Sequence, residues 1–392
     1  MKRAPVYALS ISAAVLMFSL IVWSLFQHGT TGFLRVTNLA LYIFILVGLL
    51  ALLLLFLTWL LQRMNSPSSQ KRARAFSLYL AGLSALFLLA FAALWLILAG
   101  FPSAGTGQHL SQKPIAQADP RAFHFAVGSD AHFGAGTNNL AATRQMLAQI
   151  SDPKNSYGLF LSIGDLVEYG FLDSQWKEAL QAFSPVAATV PLRFAPGNHD
   201  TLFAGLGHYL NYLAPTAPSF PGDTKLWYRL DAGNIHFLVL DVEWSAESYT
   251  AAQAIWLEDQ LRSLPPNDWK VVLSHGFYYA SGISYRGWKW FDNPETIAKL
   301  TPLFEKYKVD LVFSGHDHDL ELLEHGGVRY VVCGGFGGLP DPDRTYTSPA
   351  SLWYRTGGYG FTDVAIQGDE ANLIFRAPDG GSISQFNFRR GS

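Results

Sequence analysis

Five groups of residues in this chain carry donors suited to cations: Asp130-Ala131-His132, Gly164-Asp165, Gly197-Asn198-His199-Asp200, Ser274-His275 and Gly315-His316-Asp317-His318. Each closely follows a short apolar run. Carboxylate and carboxamide oxygens suit hard cations, and imidazole adds affinity for transition metals. Their arrival in one ordered set is the donor mixture expected of two neighbouring metal ions. A sixth apolar run, 235–240, ends at Asp241 with no ligand pair beside it. A lone aspartate at a strand end is ordinarily a turn or helix cap, but the five-fold recurrence argues for ligands at Asp130 and Asp165. Asp317 and Asp319 read as solvated or as supports for the adjacent histidines. His124, His208, His236 and His325 match none of these groups and read as ordinary core or surface histidines.

To meet, these residues need a scaffold that brings distant strand ends to one rim. Segments 123–127, 159–163, 192–195, 235–240, 271–273 and 311–313 are short, rich in Val, Ile, Leu and Phe, and bounded by Gly, Ser or Asp, as buried strands are. Helical patterns lie between them at 139–150, 172–183, 249–264 and 294–307. Such alternation implies an α/β sheet, and ligands of such sheets gather at the carboxyl ends of the strands. From 328 onward strands and turns dominate, at 328–333, 360–366, 371–376 and 382–388, with a strong turn at 377–381. These strands are expected to complete a second sheet.

The overall net charge of −2 conceals a split: all thirty acidic residues lie after Phe101, whereas the first 101 residues carry seven basic ones. The remainder holds 21 basic against 30 acidic residues, a balance that argues against broad nucleic-acid binding. Stretches 7–26, 39–61 and 76–101 contain no charged side chain, and each is long enough to cross a bilayer as a helix. Lys2 and Arg3 precede the first, and Arg63, Lys71, Arg72 and Arg74 separate the second from the third. The positive-inside rule therefore puts the N-terminus and residues 62–75 in the cytoplasm and everything after Phe101 outside it. A signal-peptide reading of the first stretch fits its basic start but finds no clean cleavage site, and cleavage would leave the sidedness unchanged. With no Asp, Glu, Lys, Arg or His in the spans, they read as an anchor, not a transport path. Residues 102–120 are polar and read as a tether. The expected organisation is a three-helix membrane anchor (1–101), the tether (102–120) and a catalytic domain (121–392). The single cysteine, Cys333, rules out an intramolecular disulfide and reads as a buried strand thiol.

Taken together, the motifs resemble those of the calcineurin-like metallophosphoesterases, marked by D-x-H, G-D-x-x-x-x-G, G-N-H-D/E, an isolated His and G-H-x-H. The resemblance covers roughly residues 121–390 and implies a two-sheet sandwich flanked by helices. It implies that Asp130, His132 and His318 hold one metal, and that Asn198, His275 and His316 hold the other. Asp165 would bridge them, one oxygen to each cation, with the metals about 3.5 Å apart. The ions would be divalent or trivalent, with Fe, Mn and Zn all suited to these donors. A hydroxide between them would attack phosphorus in line, His199 would give a proton to the leaving oxygen, and Asp200 would orient the His199 ring from behind. The implied substrate is a small-molecule or lipid-linked phosphomonoester or phosphodiester. A non-catalytic membrane sensor or scaffold with the same fold is the alternative. Glu168 stands where purple acid phosphatases place Tyr, which speaks against a tyrosinate ligand. The aromatic insert 203–227 is similar to that of bacterial phosphohydrolases that include cyclic-nucleotide phosphodiesterases. In Arg286-Gly287-Trp288-Lys289-Trp290, which reads as a packed loop or a substrate lid, Arg286 or Lys289 could grip a phosphate oxygen.

Overall fold

Phe123, Phe125 and Val127 alternate with Ala126 along β1 (Ala122–Gly128), and the two sets enter different hydrophobic cores. This period-two alternation makes a strand buried on both faces. The structure, a computed structural model, describes residues 109–391 apart from 111, 116–118, 120, 203–204, 216–218 and 286–287. The three expected spans lie outside the described residues, among which no helix is long and apolar enough to cross a membrane.

After β1 come α1 (Leu140–Ser151), β2 (Leu159–Ile163), α2 (Asp173–Thr189), β3 (Leu192–Ala195), α3 (Asn198–Thr201) and α4 (Leu206–Tyr212). A second series follows: β4 (Tyr228–Ala232), β5 (Ile235–Val239), α5 (Ala251–Ser263), β6 (Trp269–Leu273), β7 (Ile283–Tyr285), β8 (Trp288–Trp290), α6 (Pro294–Lys306) and β9 (Leu311–Ser314). The chain ends in β10 (Leu320–His325), β11 (Val328–Cys333), β12 (Ser351–Arg355), β13 (Phe361–Gln367), β14 (Glu370–Arg376) and β15 (Ser382–Arg389). One sheet runs β15-β14-β13-β1-β2-β3 and the other β12-β10-β11-β9-β6-β5-β4, while β7 and β8 form a separate hairpin. The strands β1, β2 and β3 are parallel, as are β5, β6, β9 and β11.

The two sheets pack face to face over Phe125, Leu161, Phe237, Val271 and Phe313, with Phe125 edge-on to Phe237 at 5.0 Å. Helices α1, α2 and α4 bury Met146, Trp176, Phe183 and Tyr209 on the outer face of the first sheet. Helices α5 and α6 bury Trp256, Leu257, Leu300 and Phe304 on the outer face of the second. The result is a two-sheet α/β sandwich flanked by helices.

Three expectations change. The C-terminal strands do not all complete a second sheet. β11 joins the second, but β13 pairs antiparallel with the free edge of β1 and carries β14 and β15 into the first. Helix α2 continues past 183 through Pro185 to Thr189, burying Val186 and Ala187. The described part of 102–120 is no tether. His109 Nε2 donates to the Ala214 carbonyl at 2.8 Å, Leu110 is buried with its N–H on the Tyr212 carbonyl, and Arg193 donates to the Lys113 carbonyl.

Candidate metal centre

All five donor groups sit just beyond carboxyl ends of parallel strands. Asp130 and His132 follow β1, Asp165 follows β2, Asn198 and His199 follow β3, His275 follows β6, and His316 and His318 follow β9. The loops are stitched together past the strand ends. Asp130 N–H donates to the Gly164 carbonyl, and His132 N–H to that of Asp165. The His316 N–H donates to Asp130 Oδ2 at 2.9 Å, joining the second sheet to the first. Four of the seven non-glycine residues with positive φ among the described residues are here: Asp130 (68°), His132 (47°), Asp165 (48°) and His316 (71°). Left-handed backbone costs energy for a side chain with a Cβ, and such strain collects at functional sites.

The side chains converge. Asp130 Oδ1 lies 3.4 Å from His318 Nε2 and 3.7 Å from His132 Nε2, and these two ring nitrogens are 3.0 Å apart. Asp165 Oδ2 lies 3.2 Å from His275 Nε2 and 3.7 Å from His132 Nε2. His275 Nε2 is 3.1 Å from Asn198 Oδ1 and 3.2 Å from His316 Nδ1. The seven residues thus make two donor sets that share Asp165. Asp165 Oδ1 accepts the His199 N–H at 2.8 Å, while Oδ2 lies near a donor of each set.

The rings are locked from behind. His132 Nδ1 donates to Glu168 Oε2 at 2.8 Å, His318 Nδ1 to the Leu339 carbonyl at 2.7 Å, and His275 Nδ1 to the Ile163 carbonyl at 3.1 Å. Each bond directs Nε2 into the pocket, the arrangement that orients metal-binding histidines. Space is made by glycine: a Cβ on Gly338 would stand 2.9 Å from both the His132 and His318 rings.

The residues fit a pair of cations. Asp130 Oδ1 is buried and accepts no hydrogen bond, while three imidazole nitrogens lie within 3.9 Å of it. Three trios among the described residues, Asp130-His132-His318, His132-Asp165-His199 and Asp165-His275-His316, each place three donor atoms within 4.8 Å of one another. Protonation reflects the same crowding. Burial works against a charged His132, but the carboxylates of Asp130, Glu168 and Asp165 outweigh it and push its pKa up to about 10. His275 likewise rises against burial to about 9 beside Asp165 and Asp130. Burial, with the charge of His275, drives His316 down to about 3. Burial raises Asp130, yet His275, His132 and His318 more than reverse it and hold its carboxyl well below the usual range.

Asp200 does not orient His199. Its carboxylate accepts the N–H groups of Leu166, Val167 and Gly197 and so clasps the loops after β2 and β3. Burial and the nearby Asp165 raise its pKa to about 8. The His199 ring is held instead by Nδ1–H donating to the Glu168 carbonyl at 2.7 Å. Asp317 and Asp319 are buried, not solvated. Among the other histidines, His236 bridges Asp231 and Asp268 at 2.9 and 3.0 Å, and His124 pairs with Asp363, away from the centre. The sixth run, β5, contributes no ligand but leads to Trp244, whose ring lies 4.9 Å from that of His316. Arg286 lies outside the described residues. Lys289 is exposed, and strand alternation places it on the opposite face from Trp290, whose ring packs on His316 at 4.7 Å.

Comparison with known proteins agrees with this geometry. An Arabidopsis thaliana protein named "Probable inactive purple acid phosphatase 24" is 27% identical over 299 residues, 67% of this chain and 47% of its own length. A Hordeum vulgare "Nucleotide pyrophosphatase/phosphodiesterase" is 24% identical over 60% of this chain and 73% of its own. The purple acid phosphatase PPD1 from yellow lupin (Lupinus luteus) seeds shares the fold, with a TM-score of 0.60 and 20% identity over 71% of this chain and 55% of that one. The chain spans about half the length of the first curated relatives it matches. Similarity thus reaches purple acid phosphatases, although Glu168 stands at the position expected for their tyrosine. Residues 123–320, half of the chain, match the family described as Calcineurin-like phosphoesterase, and the chain belongs to that family.

Proposed function

We propose that this protein is a membrane-anchored, binuclear metal-dependent phosphoesterase that hydrolyses a phosphomonoester or phosphodiester outside the cytoplasm. One observation carries the reading: Asp130, His132, Asp165, Asn198, His275, His316 and His318, from two different sheets, meet around Asp130 Oδ1 and Asp165 Oδ2, with the rings of His132, His275 and His318 held from behind. Bound cations supply Lewis acidity, which neutralises phosphoryl oxygens and makes a water nucleophilic near neutral pH. The chain's own residues do the rest. Asp165 and Asp130 provide the negative charge that retains the cations, and Glu168, Leu339 and Ile163 hold the imidazoles in register. In hydrolysis a water oxygen bonds to phosphorus, the P–O ester bond breaks, and the departing oxygen takes a proton. We assign that proton to His199, a reading supported by a partly exposed ring whose Nδ1 donates to the Glu168 carbonyl.

The anchor rests on the three charge-free stretches, and the sidedness on Lys2, Arg3, Arg63, Lys71, Arg72 and Arg74. Several relatives named as probably inactive favour a second reading, a metal-binding sensor or scaffold without turnover. The complete donor set favours catalysis. The deciding experiment assays the full chain in detergent, loaded in turn with Mn, Zn and Fe, against an aryl phosphate and a bis-aryl phosphodiester. Hydrolysis lost on chelation and in Asp165→Ala is expected. Tight metal binding with no turnover of either ester would favour the scaffold, and activity surviving both treatments would refute metal-dependent catalysis.

A further inference from the structure

Singly exposed apolar side chains are ordinary on a protein surface, so what gives one meaning is its place beside a polar centre. Five such side chains are exposed among the described residues: Tyr169, Trp244, Ile255, Leu339 and Leu352. Three belong to loops that hold the metal centre. Tyr169 follows Glu168, which positions His132 and His199; Leu339 supplies the carbonyl that holds His318; Trp244 lies against His316 itself.

Trp244 is the most closely placed. Its ring stands 4.9 Å from His316 at 62° and 5.4 Å from Trp290 at 88°, both edge-to-face contacts. Behind it, Trp290 packs on His316 at 4.7 Å, and Asn293 Nδ2 donates to the Trp244 carbonyl at 3.2 Å, anchoring the backbone. The indole is held, yet remains 45% exposed. A half-exposed indole in contact with a ligand histidine has surface left to meet a flat substituent of the ester, and stacking of a base or aryl ring on an indole is favourable.

We propose that Trp244, backed by Trp290, is a specificity-determining residue that seats a planar aromatic group of the phosphoester, a nucleobase or an aryl ring. The proposal rests on the phosphoesterase reading. Its test measures kcat/KM for the metal-loaded full chain on adenosine 5′-monophosphate, phenyl phosphate, glycerol phosphate and a diacylglycerol phosphate in micelles. In Trp244→Ala the ratio of aromatic to glycerol phosphate kcat/KM should fall about tenfold to a hundredfold. Trp244→Phe should restore most of it. The two aromatic esters separate a nucleobase seat from a general aryl seat, and either one supports the proposal. An unchanged ratio, with all esters losing equally, would mean that Trp244 merely buttresses His316 and would overturn it. A selective loss on the lipid phosphate would overturn it in favour of an acyl-chain rim. If the wild-type protein turns over none of these esters, the phosphoesterase reading fails, and binding decides the aromatic seat. Quenching of tryptophan fluorescence by adenosine 5′-monophosphate or phenyl phosphate, absent in Trp244→Ala, would sustain the seat; quenching by neither would end it.

Discussion

Asp165 Oδ2 lies 3.2 Å from His275 and 3.7 Å from His132, one from each donor set, while Oδ1 is spent on the His199 N–H. One carboxylate therefore ties both halves of the centre to the backbone of the proposed acid. His199 itself has one nitrogen committed and one available. In His199→Ala, esters with poor alkyl leaving groups should lose about a hundredfold or more in kcat, and activated aryl esters far less, because only the former need the proton. A leaving-group series checks this, and equal losses would assign His199 to binding instead. Glu168 is the residue that sequence reasoning undervalued. A carboxylate in a loop has no periodic signature, and position 168 drew notice only for the tyrosine it lacks. In the fold its side chain holds His132 and its carbonyl holds His199. Glu168→Ala should weaken metal binding by about 10–100-fold, with Gln intermediate because it still accepts the His132 proton. Competition with a chelator of known affinity measures it, and unaltered affinity would remove Glu168 from the account.

At the scale of elements, the site is a product of turns just beyond strand ends. A Cβ on Gly197, between β3 and Asn198, would lie 2.2 Å from both the amide nitrogen and Oδ1 of Asp165. Backbone and side chain cannot both give way there. Gly197→Ala should therefore abolish stoichiometric metal loading while far-UV circular dichroism keeps the sandwich's signature, and normal loading would show that the two loops are looser than described. The ligand-bearing strand ends were legible in sequence because short apolar runs stop abruptly at donor residues, a local signal. Sheet membership was not. β13 pairs with β1 across more than two hundred residues, and nothing in 361–367 announces that partner. The same limit hid the docking of Leu110 on Tyr212 and the clasp made by Asp200, whose position beside His199 suggested a contact that the turn geometry sends elsewhere.

For the whole molecule, the centre couples stability to pH. His132 and His275 have folded pKa values of about 10 and about 9, above the ordinary 6.5. Groups raised on folding stabilise fully below their unfolded pKa and lose that contribution as pH climbs through the folded one. Asp200, raised to about 8 from 3.8, acts in the same direction at lower pH. The metal-free protein should therefore lose thermal stability between about pH 6.5 and 10. A cation must displace these protons, so affinity should rise over the same range, with about two protons released on loading at pH 7. Calorimetry with and without chelator, and titration in buffers of different ionisation enthalpy, check both. Identical pH profiles for loaded and chelated protein would contradict the coupling.

The most direct measurement is anomalous X-ray scattering from crystals grown with manganese or zinc. Two peaks are predicted, one among Asp130, His132, Asp165 and His318 and one among Asp165, Asn198, His275 and His316. A single peak, or peaks that do not share Asp165, would contradict a twin-cation centre.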